Sequence, residues 1–270
     1  MIHKTFLFVA LILCVSIIGF SQISICSWNL KDFGMSKSDA ELNFVAKTIQ
    51  DYDVVAIQEV VAGFGGAQAV ARLSEILNTR GAKWDYTISN PTSSSAYKTE
   101  RYAFIWKTSK LTKVGDAWLE KQYSLQIDRE PFFATFKSKD KTFTLVNFHA
   151  ITKAKQPETE IKYFKFIPSE YPSLNLIFCG DFNCPQSHTV FIPLKSVGYK
   201  PALVNQKTTL KQQCILQDCL ASEFDNIFFN EAKIIFARAG VVHFYKNFKT
   251  LLDAESISDH IPIFFEFAIR

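Results

Sequence analysis

The sequence predicts an α/β protein in which one β-sheet packs on another with helices outside. Three observations carry that expectation: many short runs rich in β-branched and aromatic residues, few stretches with helical periodicity, and no regular strand-helix alternation. Of 270 residues, 48% are hydrophobic and 14% aromatic, and the 26 Phe imply a large aromatic interior. Such a composition excludes disordered and collagen-like classes. No Pro/Gly/Ser-rich bridge or charge run divides the chain, so residues 22–270 are expected to form a single domain.

The start of the chain reads as a targeting segment. Met1–Lys4 give a short basic start, Phe6–Phe20 an apolar run, and Gly19–Gln22, with small Gly19 and Ser21, a stretch suited to cleavage after Ser21. The expectation is a signal peptide over 1–21, a mature chain from Gln22, and a secreted or periplasmic product. An uncleaved anchor would need about 20 apolar residues, more than this run offers. No later segment is apolar for long enough to cross a bilayer, so no membrane association is expected. Net charge is +4, and Lys4 is the only charged residue in the first 21, which leaves +3 on the exported part. That balance permits an anionic ligand without diagnosing one.

Strands are expected at Ile23–Trp28, Val54–Gln58, Tyr102–Lys107, Pro131–Phe136, Thr142–His149, Leu174–Cys179, Asn226–Phe229, Ile234–Ala237 and Ile261–Phe267. Ser38–Gln50 reads as a helix, because Ser38 and Glu41 form a capping box and Leu42, Val45, Ala46 and Ile49 fall on one face. Ala67–Leu77 and parts of Glu158–Ile167 have the same rhythm. Export permits disulfides. Cys26 and Cys179 lie in apolar strands and read as buried thiols, leaving Cys184, Cys214 and Cys219 as loop candidates for one bridge whose pairing stays open.

Several strands end abruptly in acids, amides or imidazoles: Asn29 after the first, Glu59 after the second, Asn147 and His149, then Asp181 and Asn183, while Asp259 and His260 open the last. Asp181 and Asn183 alternate around Phe182 and so share a face. Glu59, Asp181 and Asp259 are hard oxygen donors of the kind Mg²⁺ or Mn²⁺ takes. His149 and His260, at the same rim, titrate near neutrality and can move protons.

In order and spacing, these segments resemble the DNase I-like group of the endonuclease/exonuclease/phosphatase superfamily, secreted DNase I most of all. The matching stretches are Trp28–Gly34, Ile57–Val60, Tyr97–Tyr102, Arg129–Pro131, His149, Gly180–Asn183, Asp225 and Ser258–His260. The resemblance implies a four-layer α/β/β/α sandwich of two mixed, mostly antiparallel sheets. It implies Glu59 as principal Mg²⁺ ligand with Asn29 and Asp259 nearby, and Asp181 and Asn183 positioning metal, phosphate or water. It pairs His149 with Glu100 and His260 with Asp225, making His149 the acid and His260 the base. It places Arg129, Asn29 and Tyr97 against substrate phosphate or sugar, and leaves room for a structural Ca²⁺. Two departures stand out: Val61 replaces an arginine that enters the minor groove in DNase I members, and Thr99 is one residue extra between Tyr97 and Tyr102. The expected function is a secreted, monomeric, Mg²⁺-dependent deoxyribonuclease that cuts DNA internally with little sequence preference. The alternatives are a phosphoesterase of the same superfamily acting on lipid or inositol phosphates, and a catalytically inactive binding module.

Overall fold

The computed structural model describes residues 22–94 and 99–270. The expected signal segment, residues 1–21, and Tyr97 therefore lie outside the described residues. In chain order the elements are β1 (Ile23–Phe33), α1 (Asp39–Ile49), β2 (Val54–Val61), α2 (Phe64–Asn78), β3 (Trp84–Ile88), β4 (Glu100–Lys107), β5 (Thr112–Leu119), β6 (Phe132–Ser138) and β7 (Lys141–His149). Then come α3 (Glu158–Ile161), α4 (Ile167–Glu170), β8 (Leu176–Asp181), α5 (Ile192–Ser196), β9 (Tyr199–Pro201), β10 (Leu210–Ile215), β11 (Asp218–Leu220), β12 (Asp225–Asn230), β13 (Ile234–Val241), α6 (Leu251–Glu255) and β14 (Ile263–Ile269).

Two six-stranded sheets face each other, ordered β13-β14-β1-β2-β4-β3 and β5-β6-β7-β8-β12-β9, with β10 and β11 forming a separate hairpin. Each sheet is antiparallel except for one central parallel pair, β1 with β2 and β7 with β8. Strand alternation sorts the side chains into layers. Ile25, Val54, Ala56, Tyr102 and Phe104 of the first sheet meet Phe136, Leu145, Ile177, Cys179 and Ile227 of the second in a buried central layer. On the far side of the first sheet, Cys26, Trp28, Val55 and Ile57 pack with Leu42 and Val45 of α1 and Val70 and Leu73 of α2. Behind the second, Val146, Phe148, Phe178 and Phe228 pack with Ile161, Phe164 and Leu194. These are the four layers expected from sequence. No described helix is long and apolar enough to cross a membrane.

All nine expected strands form, and α1 starts at Ser38 with both halves of the capping box made. The parts of Glu158–Ile167 that turn helical are α3 and the first residue of α4, which carries Pro168 in its first turn. Sequence reading missed β3, β5, β9, β10 and β11. β5 is largely solvent-facing and carries Gly115 and Asp116, so neither alternation nor propensity marks it. Cys26 and Cys179 are buried free thiols, and burial pushes both pKa values up. Cys214 pairs with Cys219 across the β10–β11 hairpin, and Cys184 is a buried free thiol.

Candidate active site

The site is the polar end of the layer between the sheets. Along six strands the inward-facing positions turn from apolar to polar as they approach one rim: Ile25, Ser27, Asn29; Val54, Ala56, Gln58; Phe104, Tyr102, Glu100; Leu145, Asn147, His149; Ile177, Cys179, Asp181; and Phe229, Ile227, Asp225. Register aligns them. In the second sheet Asp181 sits directly between His149 and Asp225, and in the first Asn29 pairs with Gln58. The parallel pair β7–β8 closes tightly at this point because Gly180 has no side chain. A Cβ there would lie 1.9 Å from Phe148 O, and its φ of +137° is one that other residues rarely adopt.

Each imidazole is backed by a carboxylate. His149 Nδ1 lies 3.0 Å from both Glu100 oxygens, and His260 Nδ1 lies 2.8 Å from Asp225 Oδ2. Thr208 Oγ1 donates to the same Asp225 oxygen at 2.6 Å, and Ser258 Oγ accepts from His260 N at 2.9 Å, fixing that end of the site. The other ring nitrogens converge on one atom: Asp181 Oδ2 is 3.4 Å from His149 Nε2 and 3.6 Å from His260 Nε2. Asn183 N donates to the second oxygen, Asp181 Oδ1, at 2.8 Å, so the carboxylate cannot swing away. Asn183 Nδ2 reaches Ala150 O at 3.1 Å.

Glu59 reaches the rim by a local break in β2. Strict alternation would turn it toward the helices with Ile57, but it adopts φ +59° and the pairing of β2 shifts between Ile57 and Val60. The bulge re-aims the acid into the cleft. Asn29 Nδ2 then donates to Glu59 Oε1 at 2.9 Å and to Asp181 Oδ2 at 3.3 Å, and Glu59 Oε1 lies 3.8 Å from His149 Nε2.

The metal set expected from sequence lies around one cleft. Glu59, Asn29 and Asp181 are joined by hydrogen bonds, and Asp259, half-buried, lines the same cleft, its main-chain oxygen accepting from Leu210 N at 2.7 Å. It is flanked by buried Ser258 and His260, whose side chains take the inward positions. Sequence reading did not foresee that Asp181, Asp225 and His260 would offer ligand atoms all within 4.8 Å of one another. The residues present fit a small divalent cation. Asn29 Oδ1 is buried with no hydrogen-bond partner among the described residues, beside two carboxylates, and oxygen-only donors are the choice of Mg²⁺ and Mn²⁺.

Arg129 lines the cleft, where the sequence places it, and is bonded into the His149 side of the site. Its Nε donates to His149 O at 2.9 Å, Nη2 donates to Ala150 O, and Nη1 lies 3.5 Å from Glu100 Oε2. The guanidinium thus clamps both members of the His149–Glu100 pair, while still lining the cleft.

Burial disfavours charge on both imidazoles, but the facing acids win. Asp225 and then Asp181 raise His260 to about 10, and Glu100 raises His149 against the opposing charge of Arg129. Burial raises Asp225 as well. Without a cation His260 keeps its proton at neutral pH, which suits a donor. It can accept one only when positive charge beside Asp181 offsets that field.

The cleft above these groups encloses about 750 Å³ and is lined by Glu59, Glu100, His149, Asp181, Asn183 and His260, among others. Two face-to-face sheets with an acid- and imidazole-lined rim at one end define a class of phosphoester hydrolase. The chain belongs to the endonuclease/exonuclease/phosphatase family, whose model matches residues 26–260. It is 27% identical over 282 residues to human deoxyribonuclease gamma, the match covering 95% of this chain and 89% of that one. It is 27% identical over 214 residues to a deoxyribonuclease of Thioalkalivibrio sp. (strain K90mix), a match covering 75% of this chain but 57% of the relative. Among solved structures, an endonuclease/exonuclease/phosphatase family protein from Bacteroides thetaiotaomicron superposes with a TM-score of 0.68 at 19% identity, covering 93% of this chain and 99% of that one.

Proposed function

We propose that this protein is an exported, Mg²⁺-dependent deoxyribonuclease that hydrolyses phosphodiester bonds within DNA chains, acting as a monomer with little sequence preference. The observation that carries the reading is the convergence of two carboxylate-backed imidazoles on Asp181 Oδ2, at 3.4 and 3.6 Å. Hydrolysis of a phosphodiester needs a proton taken from water on one side and one given to the leaving oxygen on the other. Two imidazoles on opposite sides of one carboxylate supply both services, His260 receiving and His149 donating. Glu59, Asn29 and Asp181 would hold the cation, which supplies positive charge to the phosphoryl oxygens when bound. Asp181 and Asn183 orient the attacking water.

The relatives named deoxyribonucleases support DNA as the substrate. The Cys214–Cys219 disulfide supports export, since such bonds persist in oxidising compartments. Purified protein should convert supercoiled plasmid to nicked circles with Mg²⁺ and not with EDTA, while leaving sphingomyelin and inositol phosphates intact. Plasmid left closed in Mg²⁺, or faster lipid hydrolysis, would sink the reading. His149→Ala and His260→Ala should each slow nicking at least about a hundredfold with an unchanged circular dichroism spectrum.

A further inference from the structure

Phosphates carry no information about whether the bases beside them are paired, so any such preference must come from surface next to the cleft. Part of that surface here is apolar. β1 and β2 run parallel, and the loops that follow them leave the same end of the sheet, just beyond Asn29 and Glu59. The loops touch: a Cβ on Gly34 would lie 2.9 Å from Val61 Cγ2, and one on Gly65 would lie 3.1 Å from Met35 Cγ. Together they expose Phe64 at 90%, Met35 at 67% and Val61 at 39%. Val61, Ala62 and Gly63 line the cleft, and Phe64 follows them as the first residue of α2.

This ridge is held on a braced backbone. Arg101 donates from Nε to Ala62 O and from Nη1 to Ser89 O, both at 2.8 Å. Gly66 lies so close to β2 that a Cβ there would come within 2.0 Å of Val61 O, which pins the start of α2. The backbone that carries Phe64 is therefore fixed with its ring in water, so that only the ring's own torsions are left to order when a flat partner arrives.

We propose that Phe64, backed by Met35 and Val61, is a stacking wedge for an unpaired base beside the phosphate being cut, so that single-stranded or locally melted DNA is a better substrate than closed duplex. The inference rests on the nucleic-acid reading of the cleft. A strand whose phosphate lies over Asp181 carries its neighbouring bases past the cleft walls, and a base offers the π face that an exposed aromatic ring takes. The ridge itself, Met35, Val61 and Phe64, is uncharged, and the one cation of the first loop, Lys37, is turned away into Ser256 O and Ile257 O, so nothing on the ridge holds an anionic lipid headgroup.

The test compares initial rates on an oligothymidylate, a strand of equal length built from abasic tetrahydrofuran residues, and a closed duplex. The unmodified protein should cut oligothymidylate at least about tenfold faster than either of the others. Phe64→Ala should lose about tenfold on oligothymidylate and fall to within about twofold of its rate on the abasic strand, and Phe64→Trp should restore the difference. Equal slowing of Phe64→Ala on all three substrates, or no slowing on any, would overturn the wedge. So would loss of binding to phosphatidylcholine vesicles in Phe64→Ala with DNA rates unchanged. Failure of the unmodified protein to cut any strand would remove the nuclease reading itself, an outcome distinct from a Phe64 variant that cuts normally.

Discussion

Glu59 combines a strained backbone with the ligand role proposed for it. Its φ of +59° is a conformation that costs a residue with a Cβ about 1–2 kcal/mol, and the bulge that imposes it brings the carboxylate to Asn29. Both Glu59→Ala and Glu59→Gly should lose the cation and most activity. Chemical denaturation should nevertheless find the Gly variant the more stable by about 1 kcal/mol, the reverse of the order at an ordinary strand position. An Ala variant as stable as the Gly variant would show that no strain resides there. His260 yields a prediction in EDTA. Its pKa stands raised from 6.5 to about 10, burial opposing and Asp225 and Asp181 prevailing. A raised value means stability present in full below about 6.5 and lost as pH climbs through about 10, so the unfolding midpoint should fall from pH 7 to 10. His260→Gln should abolish that part of the fall. At this scale the sequence displayed the acids and imidazoles plainly, because polar residues interrupted apolar strands. It did not display the bulge, which follows from pairing with β4.

Among the elements, the parallel pair β7–β8 sets the distance between His149 and Asp181, and Gly180 sets the pair. Gly180→Ala would drive a Cβ against Phe148 O in backbone that resists a side chain, so the strands must separate. The expected cost is about 3 kcal/mol or more, with activity lost beyond what residual folding explains, measured by denaturation and plasmid nicking on the same sample. A well-folded, active Gly180→Ala would deny that this contact positions the site. Buried central strands were legible from their β-branched and aromatic runs, and α1 from Ser38 and Glu41. β5 was not, since its polar, Gly-containing sequence resembles a loop until β6 supplies its hydrogen bonds. Of Glu158–Ile167 only parts were expected to be helical, and α3 and the start of α4 are those parts, though periodicity alone did not say where helical bonding stops.

The whole molecule depends on polar contact between the sheets beneath the cleft. Asn147 of β7 accepts from Gln58 Nε2 at 2.5 Å and donates to Ile57 O at 3.0 Å and Ala103 O at 3.3 Å, all on the opposite sheet. Asn147→Ala removes all three bonds between the sheets, leaving Gln58 Nε2 with Ser27 Oγ on its own sheet, and should destabilise the protein by about 3 kcal/mol, read from urea unfolding. A loss below about 1 kcal/mol would mean that apolar packing alone aligns the sheets. Neither this bridge nor the meeting of Asp181 with both imidazoles was readable from isolated segments, since they lie on strands brought together only by the fold. The family resemblance supplied that convergence, while alternation along each strand supplied the faces. The two central parallel pairs carry Asn29, Glu59, His149 and Asp181, whereas β3, β5, β9 and β13 lie at the outer margins. Loops at those margins are consequently free to lengthen or diverge while the four central side chains keep their places, so this architecture can vary its rim without rebuilding its centre.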